Sequence, residues 1–173
     1  MIKIFISLII FFNFVFGSDL LIHSKVFTHI LNYDRNLDKK IIDKEIKFII
    51  IYNNALENDA KNLKNFILKK YKSIKNHPLN IVLIKENNVK KDLKDATAIY
   101  LFNLSDEILD FVINFAIKNH IITFANKLEM LKRGVSIALS ADRRVKPIIN
   151  KKIIKKSDIQ LNSTLLKVSK IYE

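Results

Sequence analysis

The run Lys47–Tyr52 (KFIIIY) constrains this chain more than any other stretch. It is too short for an independent helix and shows no alternation of apolar and polar residues. Such a run suits a strand covered on both faces, as in a parallel sheet. Ile81–Ile84 (IVLI), Ala96–Phe102 (ATAIYLF) and His120–Phe124 repeat the pattern. Helical spacing fills the intervals. Leu20–Leu31 predicts an opening helix, and Asp34–Lys44 a charged connection. Asn54 with Glu57 three residues later fits an N-cap pair. Leu56, Ala60, Leu63, Ile67, Tyr71 and Ile74 then share a helical face. His77-Pro78 is expected to end that helix, because proline disfavours a helical residue before it.

Ser105 opens a further helix through Ile117, apolar enough around its circumference to be well covered, and Leu128–Leu131 reads as a short helical turn. Val135–Ser140 and Val145–Ile149 suggest a hairpin joined through Asp142-Arg143, before a last helical stretch holding Leu165, Leu166, Val168 and Ile171. Alternating helices and apolar strands predict a three-layer α/β fold, its largely parallel sheet flanked by helices and ending in an antiparallel C-terminal hairpin. With no internal repeat and no linker, residues 18–173 are expected to form one domain.

Residues 1–17 decide the compartment. A short basic start (Lys3) precedes the apolar run Ile4–Phe16, and Val15-Phe16-Gly17 suits a cut before Ser18. That run of about 13 residues falls short of the roughly 20 that span a bilayer. Export with cleavage is the expectation, and a retained anchor the alternative. There is no cysteine. In an oxidising compartment the fold must stand on burial without disulfides, and thiolate nucleophiles and Cys-based zinc sites are excluded.

The formal charge of +13 admits nucleic acid, anionic lipid or an acidic protein as partner. Nucleic acid is not expected, because lysine far outnumbers arginine, no reading module is present, and export argues against it. Only Gly17 and Gly134 are glycines, which excludes glycine-rich phosphate loops and the GxSxG elbow. His23, His29, His77 and His120 lack metal-ligand spacing, and no serine is marked as activated. No catalytic, metal or cofactor-binding residue is assigned. An exported hydrolase would need a cleft pairing a serine or carboxylate with His23, His29 or His120.

Two features suit binding. Asn53, Asn103 and Asn126 each fall just beyond the carboxyl end of an expected strand, where open α/β sheets form their ligand crevice. Amides donate and accept, so three could orient a small polar ligand; ordinary helix and turn capping is the competing reading. The tract Lys132–Lys156 carries nine basic residues against Asp142. Arg143, Arg144, Lys146, Lys151 and Lys152 could share a face toward anionic headgroups or an acidic partner. A merely solvated face is the alternative.

The same tract carries a resemblance. Arg133-Gly134-Val135-Ser136-Ile137-Ala138-Leu139, Arg144-Val145-Lys146-Pro147-Ile148-Ile149-Asn150 and Leu161-Asn162-Ser163-Thr164-Leu165-Leu166-Lys167-Val168-Ser169 resemble the end of the YfiR-like family of periplasmic proteins. There, a Gly-Gly pair opens a hairpin, an RFEIN-type strand follows, and an SSxLLxLA-type helix closes the domain. Arg133 stands in place of the first glycine, and the family's usual Trp-Pro is absent around Tyr33-Asp34. The positions carried over as structural determinants are Gly134, Asn150, Ser163 and Leu166, with Gly134 freeing the backbone at the strand entry and Asn150 capping the following helix. The resemblance implies a regulator without catalysis. It would form a homodimer and restrain a membrane-bound diguanylate cyclase, or a similar receptor, through the receptor's periplasmic portion. The alternative is a soluble periplasmic small-ligand-binding component of a transporter or sensor kinase.

Overall fold

The computed structural model describes residues 19–140 and 145–173. The expected signal segment and the Asp142-Arg143 turn lie outside them. Helix α1 covers residues 19–30. Strand β1 (Ile46–Tyr52) leads through the turn Asn54–Leu56 into α2 (Glu57–Lys70). β2 (Ser73–Ile74) and β3 (His77–Lys85) follow, then the short α3 (Val89–Asp92), β4 (Ala98–Leu101), α4 (Asp106–Lys118) and β5 (Ile122–Ala125). After the turn Leu128–Leu131 come β6 (Ile137–Leu139), β7 (Pro147–Asn150), α5 (Lys151–Lys156), α6 (Ser163–Val168) and β8 (Lys170–Tyr172).

These strands make an eight-stranded sheet in the order β2-β3-β1-β4-β5-β6-β7-β8. The strands from β3 to β6 are parallel, while β2 and β7 run antiparallel to β3 and β6. β8 lies parallel to β7 at the edge. The expected three-layer α/β class, with its C-terminal hairpin, is what forms.

β1 sits centrally, flanked by β3 and β4, and Phe48 to Ile51 have no exposure. Alternation along the strand sorts its side chains. Phe48, Ile50 and Tyr52 face a core shared with Phe27 and Ile30 of α1, Leu63 and Ile67 of α2, and Leu165 of α6. Ile49 and Ile51 face the opposite core, with Val89 of α3 and Leu109, Val112 and Ile113 of α4. Burying one such side chain fully contributes about 1.5–3 kcal/mol, so β1 organises both layers.

Three boundaries differ from expectation. The turn that leads into α2 is capped by Asn53, and Asn54 caps nothing there: the Asn53 Oδ1 accepts from the Leu56 amide at 3.2 Å. That helix stops at Lys70 rather than at His77-Pro78, because Lys75 and Asn76 take positive φ of 47° and 66° and turn the chain back. Two such residues match the twist of a hairpin, so Ile74 is buried from β2 rather than from a helix. Pro78 pairs with Ser73 in β3, next to the short edge strand β2, and its side chain is exposed. Ile171 likewise belongs to β8, because the final helix ends at Val168.

One buried ion pair ties the first connection to the C-terminal segment. Lys40 and Asp34 are in direct contact with side chains 7% and 1% exposed, and Asp34 Oδ1 also accepts from the Asn36 amide at 2.9 Å. Beside them, the Arg35 amide donates to the Gln160 carbonyl at 2.8 Å and the Asn162 amide to the Tyr33 carbonyl at 2.9 Å. Burial lowers the Lys40 pKa, and Asp34 opposes that shift. Removing one partner strands the other charge away from water. Asp34→Ala is expected to cost about 3 kcal/mol in urea unfolding, and Asp34→Ala with Lys40→Met distinctly less than Asp34→Ala alone.

Candidate functional site

The strand order reverses between β1 and β4: the chain steps outward to β3 on one side and to β5 and β6 on the other. Such a reversal leaves a crevice at the carboxyl ends of the strands, because the flanking crossovers depart on opposite faces. A cavity of about 580 Å³ lies there, within the range of small-molecule sites. Its wall combines α1 with the ends of β1, β4, β5 and β6.

Asn53, Asn103 and Asn126 all line this cavity. Asn53 is committed at both ends of its amide: besides the cap, its Nδ2 donates to the Asn103 carbonyl at 2.8 Å. It therefore clamps β1 to β4 across the reversal. Asn103 presents an exposed side chain. Asn126 is partly exposed, but its Oδ1 is sealed from solvent and has no hydrogen-bond partner among the described residues. Capping explains Asn53. It does not account for the Asn126 oxygen.

The structure adds a pairing that the sequence did not mark. His23 of α1 reaches the cavity, and its Nδ1 shares a 2.7 Å hydrogen bond with the Tyr100 hydroxyl of β4. Tyr100 is fully buried among Phe27, Phe102 and the His23 ring, with centroids 5.7, 5.0 and 5.9 Å away. Burial pushes the His23 pKa from 6.5 down to about 4, against the pull of Asp19. Burial raises the Tyr100 pKa well above its ordinary value, and the Asp59 and Asp19 carboxylates raise it further. Both groups are thus neutral at physiological pH. Asp19 and Asp59 line the same cavity.

Among the described residues none of the four histidines hydrogen-bonds a serine side chain; His23 shares its cavity with the Asp19 and Asp59 carboxylates, but its Nδ1 is bonded to Tyr100. His29 meets the Tyr33 hydroxyl at 3.3 Å, His120 Nδ1 the Ser157 carbonyl at 2.9 Å, and His77 lies 3.5 Å from Asp38 near the surface. Nor does any group of three or more metal-binding side chains converge among the described residues.

The residues suggested by the C-terminal motif take varied places. Gly134 has φ of +102°, and an added Cβ would lie 3.0 Å from Ile113 Cγ2, so both backbone and space favour glycine. Asn150 is buried; its Oδ1 accepts from the Ile153 amide at 3.1 Å, capping α5, and its Nδ2 donates to the Leu131 carbonyl at 2.8 Å. Ser163 is exposed at the start of α6, which is capped by Asn162. Leu166 is 40% exposed, and its neighbour Leu165 fills the core position.

Of the basic face, Arg143 and Arg144 lie outside the described residues. Lys146, Lys151 and Lys152 are exposed, Lys151 in an ion pair with Glu173 at 2.9 Å. Arg133 is held by Asp106 and Asp110 of α4. Lys132, Lys152 and Lys156 line a second cleft, of about 520 Å³, between α4 and α5.

The profile of the YfiR/HmsC-like family matches residues 27–170. The chain belongs to that family. YfiR/HmsC-like proteins are periplasmic regulators in cyclic di-GMP signalling rather than enzymes, and their kind of partner is a membrane diguanylate cyclase. No curated protein matches the sequence. Among solved structures, a conserved domain protein from Vibrio cholerae O1 biovar El Tor superposes with a TM-score of 0.57 at 15% identity, covering 80% of this chain and 58% of its own. An ABC domain in complex with L-Trp from Streptococcus pneumoniae gives 0.52 at 12% identity, covering 83% and 62%. The chain thus spans about three fifths of each of these proteins, and the likeness concerns the fold alone. Among the described residues, no helix is long and apolar enough to cross a membrane.

The partly buried His23 has a consequence for stability. Its pKa is depressed on folding, so the unfolded chain takes up more protons than the native one between pH 6.5 and about 4. Stability contributed by the neutral ring is complete above that window and is lost as the pH falls through it. Between pH 7.5 and 5 this amounts to about 2 kcal/mol. His23→Gln is expected to remove that share of the acid sensitivity, read as the difference between variant and parent in urea midpoints at the two pH values.

Proposed function

We propose that the chain is exported, loses residues 1–17, and acts in the periplasm by restraining a membrane-bound diguanylate cyclase, or a similar receptor, through the receptor's periplasmic portion. The observation that carries this reading is the family match across residues 27–170. The mechanism is linkage. A protein that binds the inactive receptor better than the active one lowers output in proportion to that preference, and about 1.4 kcal/mol of preference gives a tenfold shift.

The C-terminal edge supports a protein contact. β8 ends the sheet, and among the described residues no strand pairs its outer side. Val168 and Ile171 there are 55% and 45% exposed, beside the exposed Leu166, Lys167 and Lys170. An unpaired edge with apolar side chains invites a further strand or another apolar surface. Lysines on and around α5 give the same end a positive field, which suits an acidic receptor segment or an anionic membrane surface. A second copy of the chain would fit the edge as well, in keeping with a homodimer.

A second reading, a periplasmic ligand-binding component, is favoured by the crevice between β1 and β4. The two are separable in cells. Deleting the gene is expected to raise cellular cyclic di-GMP, reversed by the full chain and not by a form lacking residues 1–17. Unchanged levels in every strain would shift the weight to the ligand-binding reading. Val168→Asp with Ile171→Asp should fold with an unchanged urea midpoint, since both side chains are exposed, yet fail to restore the low level. Full complementation by that variant would remove β8 from the contact.

A further inference from the structure

The cleft between α4 and α5 collects positive charge around an apolar floor. Ile113 and Ile117 of α4, Ile153 of α5 and Tyr172 of β8 supply that floor. Gly134 lets the two helices approach. A Cβ there would lie 3.0 Å from Ile113 Cγ2 and 3.7 Å from Ile153 Cδ1, so both isoleucines reach the same bare stretch of backbone. The rim carries Lys132, from the turn before β6, with Lys152 and Lys156 of α5, and all three are exposed. Among the described residues none of the three forms an ion pair, with a side chain or with the terminal carboxylate.

The acidic side chains of the wall are already matched: Asp110 holds Arg133 at 3.0 Å, and Glu173 holds Lys151 at 2.9 Å. Asn150 is committed to the Ile153 amide and the Leu131 carbonyl. Asn114 and the Tyr172 hydroxyl are the neutral polar groups that remain. Lys152 and Lys156 stand four apart on one face of α5, a spacing at which like charges weaken a helix. With the sequence KKIIKK, α5 has no acidic residue of its own to relieve that repulsion.

An apolar floor with a cationic rim is complementary to an acidic chain that also carries apolar side chains. Carboxylates on either side of a leucine reach both rims while the leucine covers the floor. A bilayer surface is flat on this scale, so its headgroups would meet the lysines and leave the floor in water. We propose that this cleft docks an acidic peptide segment with interspersed apolar side chains. Its carboxylates meet Lys132, Lys152 and Lys156, and its apolar side chains cover Ile113, Ile117 and Ile153. Naming the receptor's periplasmic portion as the owner of that segment rests on the regulatory reading; the complementarity of the cleft does not. Tyr172 belongs to both the cleft wall and β8, so the cleft adjoins the edge proposed for the receptor contact.

The test is calorimetric titration of the chain from Ser18 to Glu173 at pH 7.5 and low salt with three acetylated octapeptides. The first is Asp-Glu-Leu-Leu-Glu-Asp-Leu-Glu, the second its amide counterpart Asn-Gln-Leu-Leu-Gln-Asn-Leu-Gln, and the third has serine for each leucine of the first. Saturable binding of the first is expected, at least tenfold tighter than either of the others, and weaker in 0.5 M salt. Chemical-shift changes in the isotope-labelled protein should centre on the amides of Ile113, Gly134 and Ile153. Lys152→Glu with Lys156→Glu alters exposed, unpaired side chains, so it should keep the parent's urea midpoint and weaken the peptide tenfold or more. The same reversal toward the opposite edge of the sheet, Lys69→Glu with Lys72→Glu, should leave the affinity within twofold. No saturable binding up to 2 mM would overturn the proposal, as would equal binding of the amide peptide, shifts confined to another surface, or equal weakening by both double variants. Sedimentation with phosphatidylglycerol vesicles in place of peptide binding would assign the lysines to a membrane and overturn it too. Should Lys152→Glu with Lys156→Glu fail to fold, Lys132→Glu gives the same reading. No cyclase enters the titration, so its failure is distinct from a failure of the cellular deletion experiment.

Discussion

Burial of β1 on both faces is the constraint from which the rest of the structure follows. Phe48 to Ile51 have no exposure, so each needs cover from a different layer, and the strand needs partners on both edges. β3 and β4 supply those edges. Because the crossover to β3 passes through α2 on one face and α3 and α4 pack on the other, the order must reverse at β1. The crevice therefore follows from the same burial: it opens where two neighbouring strands send their connections apart. A hydrophobic requirement in six or seven residues has fixed the position of the polar site.

What the crevice contains is set by a second layer of choices. Asn53 closes the reversal by joining the turn after β1 to the end of β4, which leaves a defined floor. Helix α1 then lies across that end, and the His23–Tyr100 bond fixes its height over the sheet. A tyrosine hydroxyl buried in an aromatic cluster must find a partner, since an unmet polar group there costs about 1–3 kcal/mol. His23 meets that need at the cost of remaining neutral well into the acid range. The pair is best understood as the fastening of α1, with its exposed side forming the cavity wall.

How much of this could be read from the sequence follows from the range of each signal. Apolar runs and helical stripes are local, and they gave β1, α4 and the turn Leu128–Leu131 nearly to the residue. The sequence pattern runs past the end of α2 because Tyr71 and Ile74 continue a helical stripe by coincidence, while the decisive feature, two residues of positive φ at Lys75-Asn76, leaves no periodic trace. Ile171 reads as helical from the sequence because the three residues of β8 offer no period to distinguish. At the site, the three asparagines were legible as strand-end residues, and they do share one cavity. The His23–Tyr100 pair was not legible, because 77 residues separate its members and nothing local in either neighbourhood points to the other. Leu166 shows a finer limit: in a Leu-Leu pair on a short helix only packing decides which faces inward, and Leu165 does.

The crevice and the β8 edge are joined by very little chain. Val145, just before β7, lines the cavity, and β7 pairs directly with β8. On the other side, the cavity wall includes α1, whose Phe27 packs against Phe124 of β5 with ring centroids 4.6 Å apart. A ligand in the crevice alters affinity at the edge only if it binds more tightly when the edge is free, or more tightly when the edge is occupied. Close packing argues that any such preference would be carried by a displacement of α1 or β7 as a body, because the strands between them are covered on both faces and have no space to yield. Of the two, β7 offers the shorter route: its own hydrogen bonds hold the edge strand, and a shift at its start is passed to β8 without crossing the core.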